Sequence, residues 1–125
     1  MKTSVRVWTL LLLMALFCVP TYANITYNVR SFGAKGNGKT LDSPAIQKAI
    51  DKCSRKGGGV VTIPAGVYLS ATIQLKDGVN LHLDKGATVL GTTDVKAYRN
   101  LDPFQDGLGT PVGAALLVAV DAKNV

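Results

Sequence analysis

A change of hydrophobic period at Val60 is the feature that most constrains the fold of this chain. From Val60 onward apolar and polar residues alternate for about thirty residues, and no second helical pattern interrupts them. Alternation with a period of two places successive side chains on opposite faces of a β-strand. Turn residues separate the alternating runs at 64–66, 77–78 and 85–86. The pattern predicts an all-β fold made of many short strands.

Each predicted strand has one apolar face that can line a core. Val67 and Leu69 alternate with Tyr68 and Ser70, and later runs follow the same rule. The apolar members of those runs are Ile73, Leu75, Val79, Leu81 and Leu83. Further strands are predicted near Thr88 to Gly91 and at Ala115 to Val120.

One amphipathic helix is predicted before the strands. Ser43 is placed to cap it, and Pro44 occupies the first helical position, where a missing N–H does no harm. The glycines at 57–59 end it. Its apolar face consists of Ala45, Ile46, Ala49, Ile50 and Cys53. The preceding turn region, Gly33 to Thr40, is predicted to hold no regular structure.

Two architectures accommodate one helix followed by many short strands: a meander or sandwich, and a stacked parallel solenoid. Periodicity does not separate them, because Asp77-Gly78 could also form a hairpin turn. The amphipathic helix at the start favours the solenoid, since stacked coils expose an apolar end that needs a cap.

Residues 1–23 have the pattern of an export signal. Lys2 and Arg6 form a basic start, an apolar run extends from Leu10 to Val19, and small residues surround a cleavage point after Ala23. The apolar run is too short to span a bilayer, which takes about 20 residues. Residues 24–125 are then expected to form one domain. Without Lys2 and Arg6, 12 of the 14 basic residues remain against eight acidic ones, so the formal charge is about +4, which weakly favours an acidic polymer.

The cysteines offer neither a disulfide framework nor a zinc site. Cys18 lies in the predicted signal, so Cys53 stands alone after cleavage. A nucleophilic cysteine would need a histidine and an orienting group nearby, and the single histidine of the chain, His82, shows no such signature. Cys53 is therefore predicted to be a small buried side chain.

The segment Gly33 to Thr40 matches the phosphate-loop pattern G-x-x-x-x-G-K-[ST] at every fixed position. That mechanism also needs a helix that opens at the lysine, so that its amides cradle phosphate. Pro44 would then lie inside the first turns of such a helix, whereas it suits the start of a later one. A nucleotide hydrolase is rejected on this ground.

Several blocks resemble known enzymes. Residues 29–38 (VRSFGAKGNG), 45–51 (AIQKAID), 57–59 and 63–69 (IPAGVYL) resemble the opening of right-handed parallel β-helix proteins of the pectate-lyase-like superfamily. Residues 72–76 (TIQLK), 79–83 (VNLHL), 86–91 (GATVLG) and 94–98 (DVKAY) look like glycoside hydrolase family 28, the polygalacturonases. The resemblance covers nearly all of residues 27–125, and Asn37 stands where the family often has Asp.

The resemblance implies an N-terminal fragment: a cap helix and the first coils of a right-handed parallel β-helix. It implies inverting hydrolysis of α-1,4-galacturonan by Asp carboxylates, with no cofactor or metal. The family's paired Asp, Gly-His-Gly and Arg-x-Lys motifs do not occur here, so no catalytic residue is assigned and all are expected beyond Val125. Asn100-Leu101-Asp102 spells the family's Asn-x-Asp pattern in a loop and is interpreted as coincidence, and His82 as a surface residue.

The expected protein is secreted, either periplasmic or extracellular, and acts as a monomer on pectin or polygalacturonate, with no nucleic-acid partner and no membrane association after cleavage. Two alternatives remain. A pectate lyase or other uronide-acting β-helix enzyme would depend on Ca²⁺ and release a 4,5-unsaturated product. A noncatalytic adhesin or tailspike-like protein would bind glycan and leave it intact.

Overall fold

The structure is a computed structural model that describes residues 24–101, 105, 107–110 and 113–125. The predicted export signal lies outside these residues. The strands are β1 (Thr26–Asn28), β2 (Asn37–Leu41), β3 (Gly59–Ile63), β4 (Gly66–Ser70), β5 (Ile73–Leu75), β6 (Val79–Leu83), β7 (Ala87–Gly91) and β8 (Leu117–Ala119). The helix α1 spans Ser43–Arg55, and short 3-10 turns span Val29–Phe32 and Val95–Ala97. Within the described part, no helix is long and apolar enough to cross a membrane.

The strands pair in parallel with strands one coil away. The first coil holds β1 and β2, the second holds β3, β4 and β5, and the third holds β6, β7 and β8. Three sheets have the orders β1-β3-β6, β2-β4-β7 and β5-β8. Gly59 of β3 lies beside Val79 of β6, and Gly66 of β4 lies beside Ala87 of β7. Since β6 pairs with β3, Asp77-Gly78 turns the chain from one sheet to another and forms no hairpin. The solenoid prediction is confirmed, and the meander or sandwich is excluded.

Helix α1 packs its apolar face against the coils. Ile46, Ala49, Ile50 and Cys53 are fully buried in one cluster with side chains of β3, β4, β5 and β6. The helix ends where Gly57 and Gly58 take positive φ, and the Gly58 amide donates to the Cys53 carbonyl at 2.9 Å. The predicted helix and its glycine stop are confirmed.

The start of α1 differs from the prediction that Ser43 caps it. Ser43 is the first helical residue, and Asp42 occupies the cap position without a capping side-chain bond. The Ser43 hydroxyl instead accepts a hydrogen bond from the Ala71 amide at 3.2 Å. The Ser43 hydroxyl therefore caps no amide of α1, and its contact ties the helix start to the residue that follows β4.

The prediction that Gly33 to Thr40 holds no regular structure is wrong for its second half. Asn37 pairs with Val67 and Leu41 pairs with Leu69, with an irregular register between them. The Asn37 side chain accepts hydrogen bonds from the amides of Lys39 and Thr40, which accounts for the irregularity. Pairing with β4 makes this polar segment a strand, although its local sequence favours a turn.

The predicted core face of β4 is also wrong. Tyr68 and Ser70 are fully buried, whereas Val67 is 40% exposed. The Tyr68 ring lies against Gly36, which has no side chain, and its hydroxyl accepts a hydrogen bond from Arg30 Nε at 3.1 Å. The space beside Gly36 and the hydrogen bond from Arg30 therefore allow Tyr68, with Ser70 on the same face of β4, to point into the core.

Burial decreases from the second coil to the third. Val61 and Tyr68 are fully buried, but their partners one coil further, Leu81 and Val89, are only partly buried. Ile63 is fully buried, and its partner Leu83 is 42% exposed. Leu81, Leu83 and Val89 of the third coil are therefore incompletely covered, whereas Val79 at the start of β6 is buried.

Candidate functional site

The turn before β2 holds a carboxylate of the chain itself. The amides of Lys35 and Gly36 donate to the two oxygens of Asp42 at 2.8 and 2.9 Å, and Asp42 is 1% exposed. Lys39 and Thr40 lie in β2, so no helix opens at the lysine of the phosphate-loop pattern. The amides that would cradle phosphate are used internally, which agrees with the rejection of nucleotide hydrolysis. Sequence reasoning missed Asp42, because nothing local marks a contact across this turn.

Arg30 connects the first coil to the second. Its Nε donates to the Tyr68 hydroxyl at 3.1 Å, and its Nη2 donates to the Ala65 carbonyl at 2.9 Å. Both partners are uncharged, so the guanidinium positions β4 and neutralises no carboxylate. Among the described residues, every buried side-chain nitrogen or oxygen has a hydrogen-bond partner.

Cys53 and His82 form no catalytic pair. Cys53 is fully buried in the core, and desolvation raises the pKa of its thiol, as expected for a packing residue. The His82 side chain is 60% exposed, and its Nε2 lies 3.4 Å from Asp84 Oδ1 on the outside of β6. The predictions of a buried cysteine and a surface histidine are confirmed.

The Asn-x-Asp pattern at residues 100–102 is described only in part. Asn100 forms an isolated antiparallel bridge with Ala114. Asp102 lies outside the described residues, so the interpretation of this pattern as coincidence stays a prediction. The preceding loop is anchored to the coils, because the Arg99 amide donates to Thr72 Oγ1 at 3.0 Å.

Asp51 is the acidic residue of α1, and it forms an ion pair across to the second coil. Its Oδ1 lies 2.8 Å from Lys76 Nζ and accepts a hydrogen bond from Gln47 Nε2 at 3.0 Å. Desolvation acts to raise the pKa of Asp51, but the hydrogen bonds from Lys76 and Gln47 and the charges of Lys76 and Arg55 outweigh it. The pKa of Asp51 therefore lies below its ordinary value.

A groove beside the end of α1 has a cavity volume of about 250 Å³. Its lining includes Ser54, Lys76, Asp77 and Asp121. Asp77 Oδ1 accepts a hydrogen bond from the Lys123 amide at 2.7 Å, and the Asp77 carbonyl accepts one from Ser54 Oγ at 3.1 Å. The hydrogen bond between Asp77 and Lys123 thus holds the last described segment against the coils.

A metal site is not formed by the part of the chain that the structure describes. The described ranges contain no group of three His, Cys, Asp or Glu side chains that could hold a metal ion.

The carboxylates with defined contacts all have structural partners. Asp42, Asp77 and Asp94 accept hydrogen bonds from backbone amides, Asp51 pairs with Lys76, and Asp84 lies beside His82. Glycoside hydrolysis needs two carboxyl groups that face the scissile bond. These five carboxylates contact amides or basic side chains of the described residues, and none of them is assigned a role in catalysis.

The stacked coils and the covering helix define the class of the protein, which is a right-handed parallel β-helix, as in the solved polygalacturonase that it resembles. The chain belongs to the family described as rhamnogalacturonase A/epimerase, pectate lyase-like, whose model matches residues 26–109.

The proteins that the chain resembles include two hydrolases and an epimerase. The chain is 39% identical over 106 residues to an exo-poly-α-D-galacturonosidase of Dickeya chrysanthemi. The matched region covers 85% of this chain and 17% of the relative. The family 28 exopolygalacturonase of Yersinia enterocolitica superposes with a TM-score of 0.67 at 37% identity, covering 82% of this chain and 18% of that one. Mannuronan C5-epimerase AlgE1 of Azotobacter vinelandii is 46% identical over 77 residues, covering 54% of this chain and 6% of the relative. The chain thus spans less than a fifth of the length of each relative.

Proposed function

We propose that this chain forms the N-terminal cap and first coils of a polygalacturonase-type glycoside hydrolase that cleaves α-1,4-galacturonan with inversion. The observation that carries the proposal is the extent of the likeness. Similarity to the exo-poly-α-D-galacturonosidase covers 85% of the chain, whereas similarity to the mannuronan C5-epimerase covers 54%. The hydrolase likeness therefore extends over a larger part of the chain than the epimerase likeness.

The catalytic carboxylates are proposed to lie in coils beyond Val125. Two observations support this: five of the six described aspartates contact amides or basic side chains, and the chain spans 17% of the galacturonosidase that it resembles. An inverting hydrolase places one carboxylic acid at the leaving oxygen and a carboxylate base on the opposite face, about 6.5–9.5 Å apart, with a water between them. The two carboxyl groups and the water carry the bond cleavage, so the proposal includes no metal or cofactor.

In this proposal, residues 24–125 position the catalytic coils. Strand pairs such as Thr62 with His82 and Tyr68 with Val89 fix the register from one coil to the next. Helix α1 closes the first end of the core, and the half-covered side chains Leu81 and Val89 would pack against a fourth coil. The strand register that is fixed at the cap thereby determines where the side chains of later coils lie along the axis of the β-helix.

The proposal includes export. Residues 1–23 are removed after Ala23, and the mature enzyme acts outside the cytoplasm as a monomer on pectin or polygalacturonate, without nucleic acid and without membrane attachment. A polymeric substrate is degraded where it occurs, which is why an export signal suits this activity.

The test is a substrate panel with the complete gene product. The purified protein is incubated with polygalacturonate, alginate and iota-carrageenan, and new reducing ends, unsaturated uronate and C5 configuration are measured. We expect new reducing ends from polygalacturonate, with saturated products and no loss of rate after chelation of divalent cations. Unsaturated products that require Ca²⁺ would indicate a lyase, C5 inversion in intact alginate an epimerase, and binding without cleavage an adhesin.

A further inference from the structure

A row of positive side chains runs along the outside of α1. Lys48, Lys52, Arg55 and Lys56 are all exposed. Their spacings of three and four residues place them on one side of the helix, opposite the buried residues Ile46, Ala49, Ile50 and Cys53. We call Lys48, Lys52, Arg55 and Lys56 the cap stripe. Lys48 to Lys56 spans about 12 Å along the helix axis at ~1.5 Å per residue.

No side chain of the cap stripe forms an ion pair within the described residues, although the charge of Arg55 acts on the nearby Asp51 carboxylate and helps to lower its pKa. The ion pairs found there are Lys76 with Asp51 and His82 with Asp84. Asp51 lies in α1, but its Oδ1 is held by Lys76 and Gln47, outside the stripe. Four positive charges therefore face solvent on one side of the cap.

Helix stability does not explain the cap stripe fully. Basic residues in the last turn of a helix interact favourably with its dipole, which suits Lys52 and Arg55, and Lys56 follows them at the C-cap position. Lys48 lies mid-helix, and the pairs Lys48–Lys52 and Lys52–Lys56 bring like charges together at i, i+4, which disfavours the helix.

Aromatic rings adjoin the stripe. Lys52 Nζ lies 5.7 Å from the centroid of the Phe32 ring, and the rings of Phe32 and Tyr27 are 6.5 Å apart between centroids. Both rings are partly buried. A uronate unit has an apolar C–H face and a charged carboxylate edge, so a ring beside ammonium groups complements both of its parts.

We propose that the cap stripe, with Phe32 beside it, is a docking surface for a polyuronate chain. The occupant is chosen by charge complementarity, because a linear polymer with a carboxylate on every sugar can meet several cations of a 12 Å row, taken at ~1.5 Å per residue. The choice of a uronate among polyanions rests on the proposed function. The surface would hold the enzyme on its polymer at the capped end of the β-helix.

The test compares two variants of the complete gene product. The stripe variant carries Lys48→Gln, Lys52→Gln, Arg55→Gln and Lys56→Gln. The control variant carries Lys39→Gln, Lys85→Gln, Lys96→Gln and Lys123→Gln, which remove the same charge from exposed positions elsewhere. Retention on immobilised polygalacturonate is measured between low and high ionic strength, and thermal unfolding confirms that both variants fold.

We expect the stripe variant to bind polygalacturonate about tenfold more weakly at low salt, with a shallower salt dependence, and the control to stay near wild type. Wild-type binding should disappear when the carboxylates are fully methyl-esterified. Equal losses in both variants, or no loss in either, would overturn the proposal. So would wild-type retention on heparin or DNA as strong as on polygalacturonate at the same salt.

Failure of the proposed function would be visible separately. Hydrolysis is measured with the wild-type complete protein, which does not depend on the stripe variant. A wild type without hydrolase activity whose polygalacturonate binding still falls in the stripe variant would support the docking surface and contradict the hydrolase. An active hydrolase whose binding is unchanged in the stripe variant would support the hydrolase and contradict the docking surface.

Discussion

Gly36 lies against the ring of Tyr68. A Cβ built on Gly36 would lie 2.9 Å from Tyr68 Cζ, and the backbone of Gly36 has a φ of +65°. This contact lets the tyrosine turn inward, where its hydroxyl meets Arg30. The inward face of β4 therefore depends on a glycine about thirty residues earlier in the chain.

Gly36→Ala should destabilise the complete protein more than Gly86→Ala. Both positions have positive φ, but a Cβ at Gly86 would meet only Ala65 Cβ at an ordinary 3.4 Å. The backbone term is about 1–2 kcal/mol for each, and overpacking against Tyr68 adds about 1–3 kcal/mol at position 36. Denaturant unfolding measures both variants, and equal losses would show that the ring does not constrain position 36.

Asp42→Ala should leave the amides of Lys35 and Gly36 without partners. An unsatisfied donor costs about 1–3 kcal/mol when it is buried, and these two bonds are partly buried. We therefore expect a total loss of about 2–4 kcal/mol, with a smaller loss for Asp42→Asn. The control is Asp94→Ala, since exposed Asp94 accepts one bond from the Lys96 amide. Its loss should stay near the ~1 kcal/mol typical of a helix cap. A loss for Asp42→Ala no larger than for the control would contradict the account of this turn.

Gly36 and Asp42 illustrate the difference between features that local sequence patterns predict and features that depend on contacts between coils. The helix, its glycine stop and the alternation after Val60 are local, and the structure confirms them. Which face of β4 turns inward depends on Gly36 and Arg30, and whether 37–41 forms a strand depends on β4. Both depend on contacts between coils, which no window along the sequence contains.

The same difference between local patterns and contacts across the fold applies to the residues of the candidate site. Sequence patterns predicted that Cys53 is buried and that His82 lies at the surface, because their neighbours define the faces of a helix and a strand. The internal bonds of Asp42 and Arg30 were missed, since their partners are brought close only by the turn and by the second coil. The cap stripe can be recognised in the sequence by its helical spacing. That its side chains form no ion pair is evident only in the structure, where Lys76 pairs with Asp51.

The Asp51–Lys76 pair should make a small, pH-dependent contribution to stability. The pKa of Asp51 is lowered in the folded protein, so the contribution is present above its ordinary pKa of 3.8 and is lost as the pH falls through the lower folded value. Because the pair is partly exposed, Asp51→Asn should cost about 0.5 kcal/mol at neutral pH. The cost should vanish in acid well below pH 3.8.

A double-mutant cycle with Lys76→Gln isolates the contribution of this pair. Thermal unfolding at neutral and acidic pH gives the coupling between the two positions. A coupling that is the same at both pH values would show that the carboxylate charge is not its source.

Residues 24–125 produced alone should be only loosely folded. Leu81 and Val89 are partly buried and Leu83 is 42% exposed, so the interior of the third coil would face water. We expect dye binding to apolar surface, self-association and a broad thermal transition, in contrast to the complete gene product. A monomer of residues 24–125 with one sharp unfolding transition would contradict this account of the third coil.

The most direct test of the central claim is the anomeric form of the first product. Polygalacturonate is mixed with the complete gene product, and the reaction is followed by time-resolved proton NMR before mutarotation equilibrates the ends. Inverting hydrolysis of α-1,4-galacturonan predicts saturated products that appear first as the β-anomer. Products that appear first as the α-anomer, or that carry a 4,5-double bond, would contradict the proposed polygalacturonase.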